Sequence, residues 1–483
     1  VLAFVIISLV YFFPAVMEGR ILFQHDTSAG VGVGQEAKEY YERTGERTRW
    51  TNSVFGGMPT YQISPSYDST DSLKVVEKAY HLFLPHYVWL TFVMMLGFYI
   101  LLRALKIDPI LSAVGAIAWG FSSYFFILIA NGHLWKYIAL AYIPPTIAGI
   151  ILAYRGKYIV GGIIAALFVA LQVLANHVQM SYYFLFVILG FAIAYFFQLK
   201  KEDNLAQFWK ASGVLIIAAV IGVAINASNL YHTYTYGKDT MRGKSELVYE
   251  GDRANQTSSG LDRDYITNWS YGIGETFTLL IPNVKGGVSD PLTYNPKAME
   301  KANPMYRGLY AQLTQYWGDQ PMTRGPVYIG ALIMMLFVLG LFIVKGPVKW
   351  ALLGLTIFSI LLSWGKNFMP LTDFFIDWIP MYSSFRAVSS ILVIAEFTIP
   401  LLATLAIKEL IQNRQYIWNQ WRRPIIISFA LTGGLSLLFA LFPRVFFSSY
   451  IPAMEISALR NVLDPQQLGG LIDNLETVRI SIF

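Results

Sequence analysis

Two acidic residues in separate polar stretches of the chain have the chemistry of a catalytic base. Asp26 lies soon after the first apolar segment, and Glu275 opens an apolar run that follows a long polar stretch. A carboxylate beyond the end of a membrane helix can remove a proton from a substrate, and two carboxylates on different loops could hold a divalent cation. Structural roles are open for both residues, because Asp caps helices well and a Glu in the first helical turn meets unpaired N–H groups.

Four further polar residues lie in two short turns between apolar segments. His133 and Lys136 follow the third segment, and His177 and Gln179 follow the fifth. Lys136 could meet an anionic partner such as a lipid phosphate, or it could be a lysine that snorkels to the membrane interface. Neither histidine has metal-site spacing within its own turn, so a shared metal would have to be assembled by the fold. A satisfied hydrogen bond is the simpler role for each.

Two more side chains extend the set of possible binding residues. Arg386 precedes the tenth apolar segment, where a guanidinium could hold a phosphate through two parallel hydrogen bonds. Trp50 stands in a glycine-containing stretch, residues 49–59, that predicts a compact turn. An aromatic ring there could stack on a sugar, although packing of the loop is the more common role.

Apolar segments must position all of these residues. A hydrocarbon core of about 30 Å takes roughly 20 helical residues to span, and eleven stretches approach that length, among them 88–105, 159–175, 215–227 and 327–344. The composition agrees, since 14% of residues are charged, against roughly 25% in soluble domains. The sequence therefore predicts an all-α polytopic membrane protein with about 11 transmembrane helices.

Basic residues predict how this bundle is oriented. Short turns rich in Lys and Arg stay in the cytoplasm, and five turns qualify if the N-terminus is inside: 103–108, 154–158, 200–204, 345–349 and 408–423. The opposite face then receives the long loops at about 18–85 and 228–326. Long ordered loops usually carry function.

The first long loop should contain two helices. Residues 35–47 are polar enough for a helix that faces solvent. In residues 72–80, Leu73, Val76 and Tyr80 are spaced by three and four, which is typical of an amphipathic helix. Such a helix could lie at the membrane interface or pack on the bundle.

Two domains follow from this organisation. Residues 1–442 form the transmembrane module with its outer loops, and residues 443–483 form an extracytoplasmic segment. That segment stops without a helix cap or a charged tail, as expected of a fragment of a longer protein.

Several classes of function find no support in the sequence. Cysteine is absent, so a disulfide, a thiol nucleophile and a thiolate metal site are excluded. The formal charge of +6 over 483 residues is explained by the basic turns and does not indicate nucleic-acid binding. Nothing resembles a P-loop, a dinucleotide fingerprint or a zinc-binding helix.

In their order along the chain, these segments resemble the YfhO family of bacterial membrane proteins. The resemblance covers nearly the whole chain and rests on the loop of Asp26, the turns at 132–133 and 177–179, residues 240–243, the run 270–282, and 385–387. That family is placed with the GT-C membrane glycosyltransferases. The resemblance therefore implies a GT-C-like bundle that moves a sugar from a polyprenyl-phosphate-linked donor to a glycan, lipid or protein acceptor. The reaction would take place on the outer face of the bacterial cytoplasmic membrane.

The resemblance also implies roles for individual residues. Asp26 matches the essential Asp that GT-C enzymes place in the first outer loop, as base or metal ligand, and Glu275 is the candidate for a further acid. The other assignments are phosphate-holding cations (Lys136, Arg242 and Arg386), polar substrate contacts (His133, His177 and Gln179) and sugar platforms (Trp50 and Trp269). An Asp-x-Asp or Glu-x-Asp pair is missing near Asp26. Dependence on a divalent cation such as Mg²⁺ or Mn²⁺ therefore stays open.

Two other functions compete with this one. A transporter or lipid flippase predicts ionisable residues buried in the membrane and often paired repeats. The apolar segments here are nearly free of charge, with Glu396 as the main exception. A non-catalytic cell-envelope assembly protein would explain long outer loops without chemistry, and its sign would be Asp26 and Glu275 lying far apart or held in local caps.

Overall fold

The computed structural model describes residues 1–63, 65–243, 255–257, 260–447 and 449–482, so a part of the loop 228–326 lies outside it. The chain forms two compact units. The first unit comprises Val1–Phe121, Leu128–Leu261 and Lys345–Leu355, and the second comprises Ser122–Ile127, Asp262–Val344 and Thr356–Phe483. Regular structure in the described ranges is almost entirely helical, which confirms the all-α class.

Helices make up most of the first unit. They are Leu2–Tyr11, Phe13–Met17, His25–Thr44, Asp71–Tyr80, Val88–Ala104, Pro109–Gly120, Leu134–Tyr154, Tyr158–Leu174, Val178–Lys201, Leu205–Ala224 and Ala227–Gly237, with a 3-10 turn at Asp68–Thr70. Two short strands, Trp50–Thr51 and Met58–Pro59, pair antiparallel and form the compact turn expected around Trp50. Two helices, Ser123–Asn131 and Pro347–Ser363, contribute residues to both units.

The second unit alternates long apolar helices with short ones. Its α-helices are Arg263–Thr267, Pro296–Glu300, Arg307–Tyr310, Ala331–Ile343, Met369–Trp378, Val393–Gln412, Arg422–Phe429, Leu435–Leu441, Pro443–Phe446, Ala453–Arg460 and Pro465–Ile482. Shorter 3-10 segments are Gly274–Leu279, Leu292–Tyr294, Pro304–Tyr306, Gly365–Phe368, Tyr382–Ser384, Val388–Leu392 and Arg414–Tyr416, and Ala430–Gly434 is a π-helical turn.

Among the described residues, five helical segments are long and apolar enough to cross a membrane: Leu134–Tyr154, Val178–Lys201, Leu205–Ala224, Val388–Gln412 and Arg422–Leu441. Two bent pairs raise the number to seven if each pair is one span, namely Pro109–Gly120 with Ser123–Asn131 and Pro347–Ser363 with Gly365–Trp378. Four shorter apolar helices have 10–17 residues: Leu2–Tyr11, Val88–Ala104, Tyr158–Leu174 and Ala331–Ile343. These segments indicate a multi-pass membrane protein, and eleven spans stay a prediction.

The helix Leu134–Tyr154 is the centre of the first unit. It packs against Val88–Ala104 and Tyr158–Leu174, and glycines permit the close approach. A Cβ added to Gly97 would lie 2.6 Å from the carbonyl oxygen of Ala141, and one added to Gly149 would lie 2.6 Å from the main-chain nitrogen of Ala165. Small residues commonly allow membrane helices to pack this closely.

Both helices expected in the first long loop are present. The predicted helix at 35–47 is the second half of His25–Thr44, which ends at Gly45 in the left-handed conformation that favours glycine. The amphipathic helix Asp71–Tyr80 packs on the bundle, since Leu73 is buried in a cluster with Tyr142 and Phe168. Of the two alternatives for this helix, the structure therefore supports packing on other helices.

The C-terminal segment shares a hydrophobic core with part of the long central loop. That core consists of Leu292, Ala298, Tyr306, Tyr310, Leu313, Ile451, Leu459, Leu471, Leu475 and Val478. Beside it, the guanidinium of Arg479 is fully buried and donates to both carboxylate oxygens of Glu455, at 2.6 and 2.9 Å. Loss of one partner of such a buried ion pair strongly destabilises a protein. The C-terminal segment thus packs in the same compact unit as the part of the central loop that begins at Asp262.

Candidate functional site

Asp26 lies in the first unit and contacts a histidine that is distant in sequence. Its Oδ2 atom is 2.9 Å from Nε2 of His133, and its Oδ1 atom is 3.4 Å from Nδ1 of the adjacent His25. The Asp26 side chain is 54% exposed, which leaves the carboxylate accessible to a substrate. The fold thus brings together two residues that the sequence assigned to one site.

Neighbouring contacts hold Asp26 against the turn of His133. The amide of Gln24 donates to the carbonyl oxygen of Ile129, and Thr27 Oγ1 donates to the carbonyl oxygen of Gly132 at 3.4 Å. Gly132 has a positive φ of 81°, and a Cβ there would meet Thr27 Oγ1 at 2.6 Å. Glycine is therefore needed at this position for both conformation and space.

The helix that contains Asp26 begins without a side-chain cap. Its N-cap residue is Gln24, which makes no capping hydrogen bond, and Asp26 lies inside the first turn. A carboxylate there is favoured by the helix dipole, but it does not occupy the capping position considered from the sequence.

Two other segments of the chain bring basic residues close to His177, namely the turn of His133 and Lys136 and the stretch that contains Arg242. Burial lowers the pKa of His177 to about 3, and the charges of Lys136, His133 and Arg242 contribute to the lowering. The imidazole of His177 is therefore neutral near pH 7. Lys136 lies in the first turn of Leu134–Tyr154, and Arg242 is exposed shortly after the helix Ala227–Gly237. The first unit thus assembles Asp26, both histidines and two of the three predicted phosphate-holding cations.

Gln179 and Trp50 lie in the first unit with clear local partners. Gln179 Nε2 donates to the hydroxyl of Tyr183 at 2.9 Å on its own helix. The Trp50 ring covers Gly57, where a Cβ would lie 2.6 Å from Trp50 Cζ2. Trp50 is still 51% exposed, so it packs its loop on one side and leaves aromatic surface for a ligand.

Glu36 clamps the turn that contains Trp50. Its carboxylate accepts hydrogen bonds from Thr51 Oγ1 at 2.6 Å, from the main-chain N–H of Asn52 at 2.7 Å, and from that of Ser53 at 3.1 Å. The bond from Thr51 is the main cause that lowers the pKa of Glu36. Sequence reasoning missed this residue, because nothing in a polar helix marks one of several glutamates as the partner of a turn.

Glu275, in the second unit, has a different environment. It is 2% exposed and accepts hydrogen bonds from the Tyr316 hydroxyl at 2.5 Å, the main-chain N–H of Gly272 at 2.8 Å, that of Asp319 at 3.2 Å, and Gln320 Nε2 at 3.3 Å. Burial raises the pKa of Glu275, and the hydrogen bonds oppose the rise. Its place in the first turn of the 3-10 segment Gly274–Leu279 agrees with the structural role considered from the sequence.

The cavity beside Glu275 is small. Its volume is about 10 Å³, and its lining includes Tyr271, Thr278, Lys285 and Tyr316. A cavity needs at least about 10 to 15 Å³ to hold one water molecule, so a sugar does not fit. A catalytic role for Glu275 would require this cavity to open.

Arg386 and Trp269 lie on adjacent segments of the second unit. The main-chain N–H of Ser389 donates to the carbonyl oxygen of Trp269 at 3.1 Å. Arg386 is exposed, and its Nη1 donates to the Tyr265 hydroxyl at 2.6 Å while the guanidinium lies 5.5 Å from the centre of the Tyr265 ring. Tyr265 therefore orients Arg386 at the surface.

In the described part of the chain, a metal site made by protein side chains alone is not found. Among the described residues, no group of three or more His, Asp and Glu side chains could hold a metal ion. Asp26 and His133 supply two adjacent donors. Asp26 and Glu275 belong to different units, and a cation shared by the two stays a prediction.

Comparisons with known proteins do not place this chain in a family. No protein-family model, no curated protein and no solved structure matches it. The resemblance to the YfhO family and the glycosyltransferase function it implies thus stay predictions from the sequence.

Proposed function

We propose that this protein is a membrane glycosyltransferase of the GT-C type, which moves a sugar from a polyprenyl-phosphate-linked donor to an acceptor on the outer face of the cytoplasmic membrane. The acceptor would be a cell-envelope glycan, a lipid or a protein. Support comes from the first unit, to which four stretches of the chain contribute an accessible carboxylate (Asp26), two histidines (His133 and His177) and two cations (Lys136 and Arg242).

The contact between Asp26 and His133 carries the proposal. An exposed carboxylate whose contacts are two histidine side chains can exchange one of them for a substrate hydroxyl. His133 holds the carboxylate in one orientation, which is the usual role of a group placed behind a general base. Asp26 is thus the catalytic residue and His133 a positioning residue in this proposal.

The proposed transfer is a direct displacement. The acceptor hydroxyl gives its proton to Asp26 while its oxygen forms a bond to the anomeric carbon of the donor sugar. The bond from that carbon to the phosphate oxygen breaks, and its electron pair leaves with the lipid phosphate. Lys136 and Arg242 would stabilise the negative charge on the departing phosphate.

A divalent cation is compatible with this arrangement but not required by it. Mg²⁺ commonly binds through one or two carboxylates together with substrate phosphates. Asp26 could supply such a ligand, and the metal would add positive charge near the phosphate. The proton transfer to Asp26 and the charges of Lys136 and Arg242 do not depend on it.

One observation favours a transporter instead. Glu396 lies in the span Val388–Gln412 and is 0% exposed. Ser122 Oγ donates to its Oε2, while Oε1 has no hydrogen-bond partner within the described ranges. Pro400 has no N–H to bond the carbonyl oxygen of Glu396, four residues earlier. A buried ionisable residue within a membrane span often marks a path for ions or protons.

The test measures sugar transfer by the purified protein in liposomes. A panel of polyprenyl-phosphate-linked hexoses serves as the donors, and wild type, Asp26→Asn and Glu396→Gln are compared. Asp26→Asn keeps the shape of the side chain, and we expect its turnover to fall by roughly 10² or more, the scale of a general base. Glu396→Gln should keep most of the activity. Glu39→Gln is the matched control, because Glu39 is exposed on the same helix as Asp26.

Two results would count against the enzyme. One is a wild-type protein that transfers no sugar from any donor in the panel. The other is full activity of Asp26→Asn. Proton or ion uptake into the same liposomes that is lost in Glu396→Gln would favour the transporter.

A further inference from the structure

An apolar groove follows the last membrane span of the second unit. Its volume is about 410 Å³, and residues 441–445 line it together with Thr477 and Ile480 of the C-terminal helix. Pockets that bind small molecules and lipids commonly have volumes of about 300 to 1,000 Å³. The groove is therefore large enough for a phosphate group and part of an acyl chain.

The groove continues the lipid-facing surface of that span. Only 17% of the apolar window in Arg422–Leu441 is buried in the protein. Leu437, Leu438 and Leu441 are 59%, 48% and 61% exposed, and Phe442 and Val445 extend this exposed strip into the groove. A strip of this kind next to a membrane span is covered by lipid tails rather than by water.

Arg444 is the one charged side chain in the lining of this groove, as far as the chain is described. It is 66% exposed, and its Nη2 atom is 4.0 Å from Oε2 of Glu476. That distance is longer than a hydrogen bond, so the guanidinium can still form two parallel bonds to a phosphate. Its position shortly after the end of a span is where the headgroups of a bilayer lie.

We propose that this groove binds a glycerophospholipid of the bilayer, with Arg444 on the lipid phosphate and the apolar wall along one acyl chain. The site does not belong to the proposed transfer reaction. Its lining contains no carboxylate and no histidine, so it has no group that could act chemically on a bound lipid. The bound lipid would hold the C-terminal helix against the end of the last span.

The experiment uses the full chain purified in detergent. Short-chain phosphatidylglycerol is added in steps, and binding is followed by native mass spectrometry and by the melting temperature. Wild type should bind at least one lipid and melt at a higher temperature. In Arg444→Gln we expect about a tenfold loss of affinity, because the charged, two-bond contact to the phosphate is lost. Thr477→Trp, which fills the groove while keeping Arg444, should also weaken binding.

Two controls separate lipid binding from a structural role of Arg444. Glu476→Gln removes the competing carboxylate, so it should bind the lipid as well as wild type or better, whereas a purely structural ion pair would make both variants equally weak. Arg460→Gln removes an exposed arginine of the same segment and should change nothing.

Three outcomes would overturn the proposal: equal binding by wild type and Arg444→Gln, equal loss in Arg444→Gln and Glu476→Gln, and tighter binding of polyprenyl phosphate than of phosphatidylglycerol. Inorganic phosphate alone should not shift the melting temperature. Binding is measured without turnover, so failure of the transfer reaction would leave this result unaffected.

Discussion

Asp26 and Glu275 are both acids that the sequence assigns to catalysis, and their surroundings differ in almost every respect. Asp26 is 54% exposed and contacts histidine side chains. Glu275 is 2% exposed, and four protein donors occupy its two oxygens. The first carboxylate can accept a proton from a substrate without losing any part of the fold, whereas the second would have to break bonds that hold a loop together.

This difference shows that the number of hydrogen-bond donors around a carboxylate decides whether it can react. Both residues stand near the start of an apolar or helical segment, so their local sequence contexts are alike. The number of donors that reach each carboxylate is set by residues far away in the chain. Tyr316 and Gln320 saturate Glu275, whereas His133 leaves Asp26 with room for another partner.

The largest expected difference between variants of the two acids is in the free energy of unfolding. Glu275→Gln places an amide among four donors, so at least one N–H group of the protein or of the new side chain loses its acceptor in a buried site. We expect the free energy of unfolding to fall by about 1 to 3 kcal/mol. Asp26→Asn, at an exposed position, should change it by less than about 0.5 kcal/mol.

Thermal unfolding of the two variants in detergent measures both values, and transfer activity per folded molecule is the second measurement. Glu275→Gln should keep that activity. A stable Glu275→Gln protein without activity would reverse the roles of the two acids.

The second largest expected effect is on donor binding by Arg386, which lies on the surface of the same unit as Glu275. If it holds the donor phosphate, Arg386→Ala should weaken donor binding by about tenfold or more, since a hydrogen bond to a charged group contributes roughly 1.5 to 3 kcal/mol. Arg386→Lys should restore only part of the affinity, because the forked geometry is lost. Tyr265→Phe is the control, as it removes the internal hydrogen bond and keeps the charge. Donor affinity of Arg386→Ala equal to that of wild type, in a binding assay, would rule out the phosphate role.

The smallest effect is a pH dependence of stability that arises from Glu275. The pKa of Glu275 is raised in the folded protein, so the folded state holds its proton at pH values where the unfolded chain has released it. The contribution of Glu275 to the free energy of unfolding is therefore greatest below the ordinary carboxyl pKa of about 4.3. This contribution falls as the pH rises towards the raised pKa of Glu275 in the folded protein. The melting temperature of wild type minus that of Glu275→Gln should decrease as the pH rises through this window. A difference that is constant or increases with pH would contradict the assignment.

Periodicity and composition were enough to predict the local structure. The spacing of Leu73, Val76 and Tyr80 gives the helix Asp71–Tyr80, and the glycines after Trp50 give a compact turn. Within the described ranges, five helical segments, or seven if each bent pair is one span, meet the length and composition of a membrane span, so the number of eleven stays a prediction. Two of the five basic turns also meet within the first unit, where Arg155 Nη1 donates to the carbonyl oxygen of Ala104 at 2.8 Å.

Contacts between distant residues could not be predicted from one sequence. Nothing near His133 indicates that Asp26 will lie 2.9 Å away, since that distance depends on how the first loop folds back over a later turn. The same holds for Tyr316 and Glu275, and for Arg479 with Glu455. Types of residue indicate possible chemistry, whereas the number and identity of partners come only from the fold.

The clamp that Glu36 forms on the turn of Trp50 has a consequence for recognition. Three consecutive residues, Thr51, Asn52 and Ser53, are tied to one carboxylate before any ligand is present. A ligand that stacks on Trp50 therefore does not have to order the loop, and the conformational entropy of the loop is lost during folding instead of during binding. The surface around Trp50 is thus preorganised, so contacts with any ligand that stacks on this ring can be selective in geometry even when they are weak.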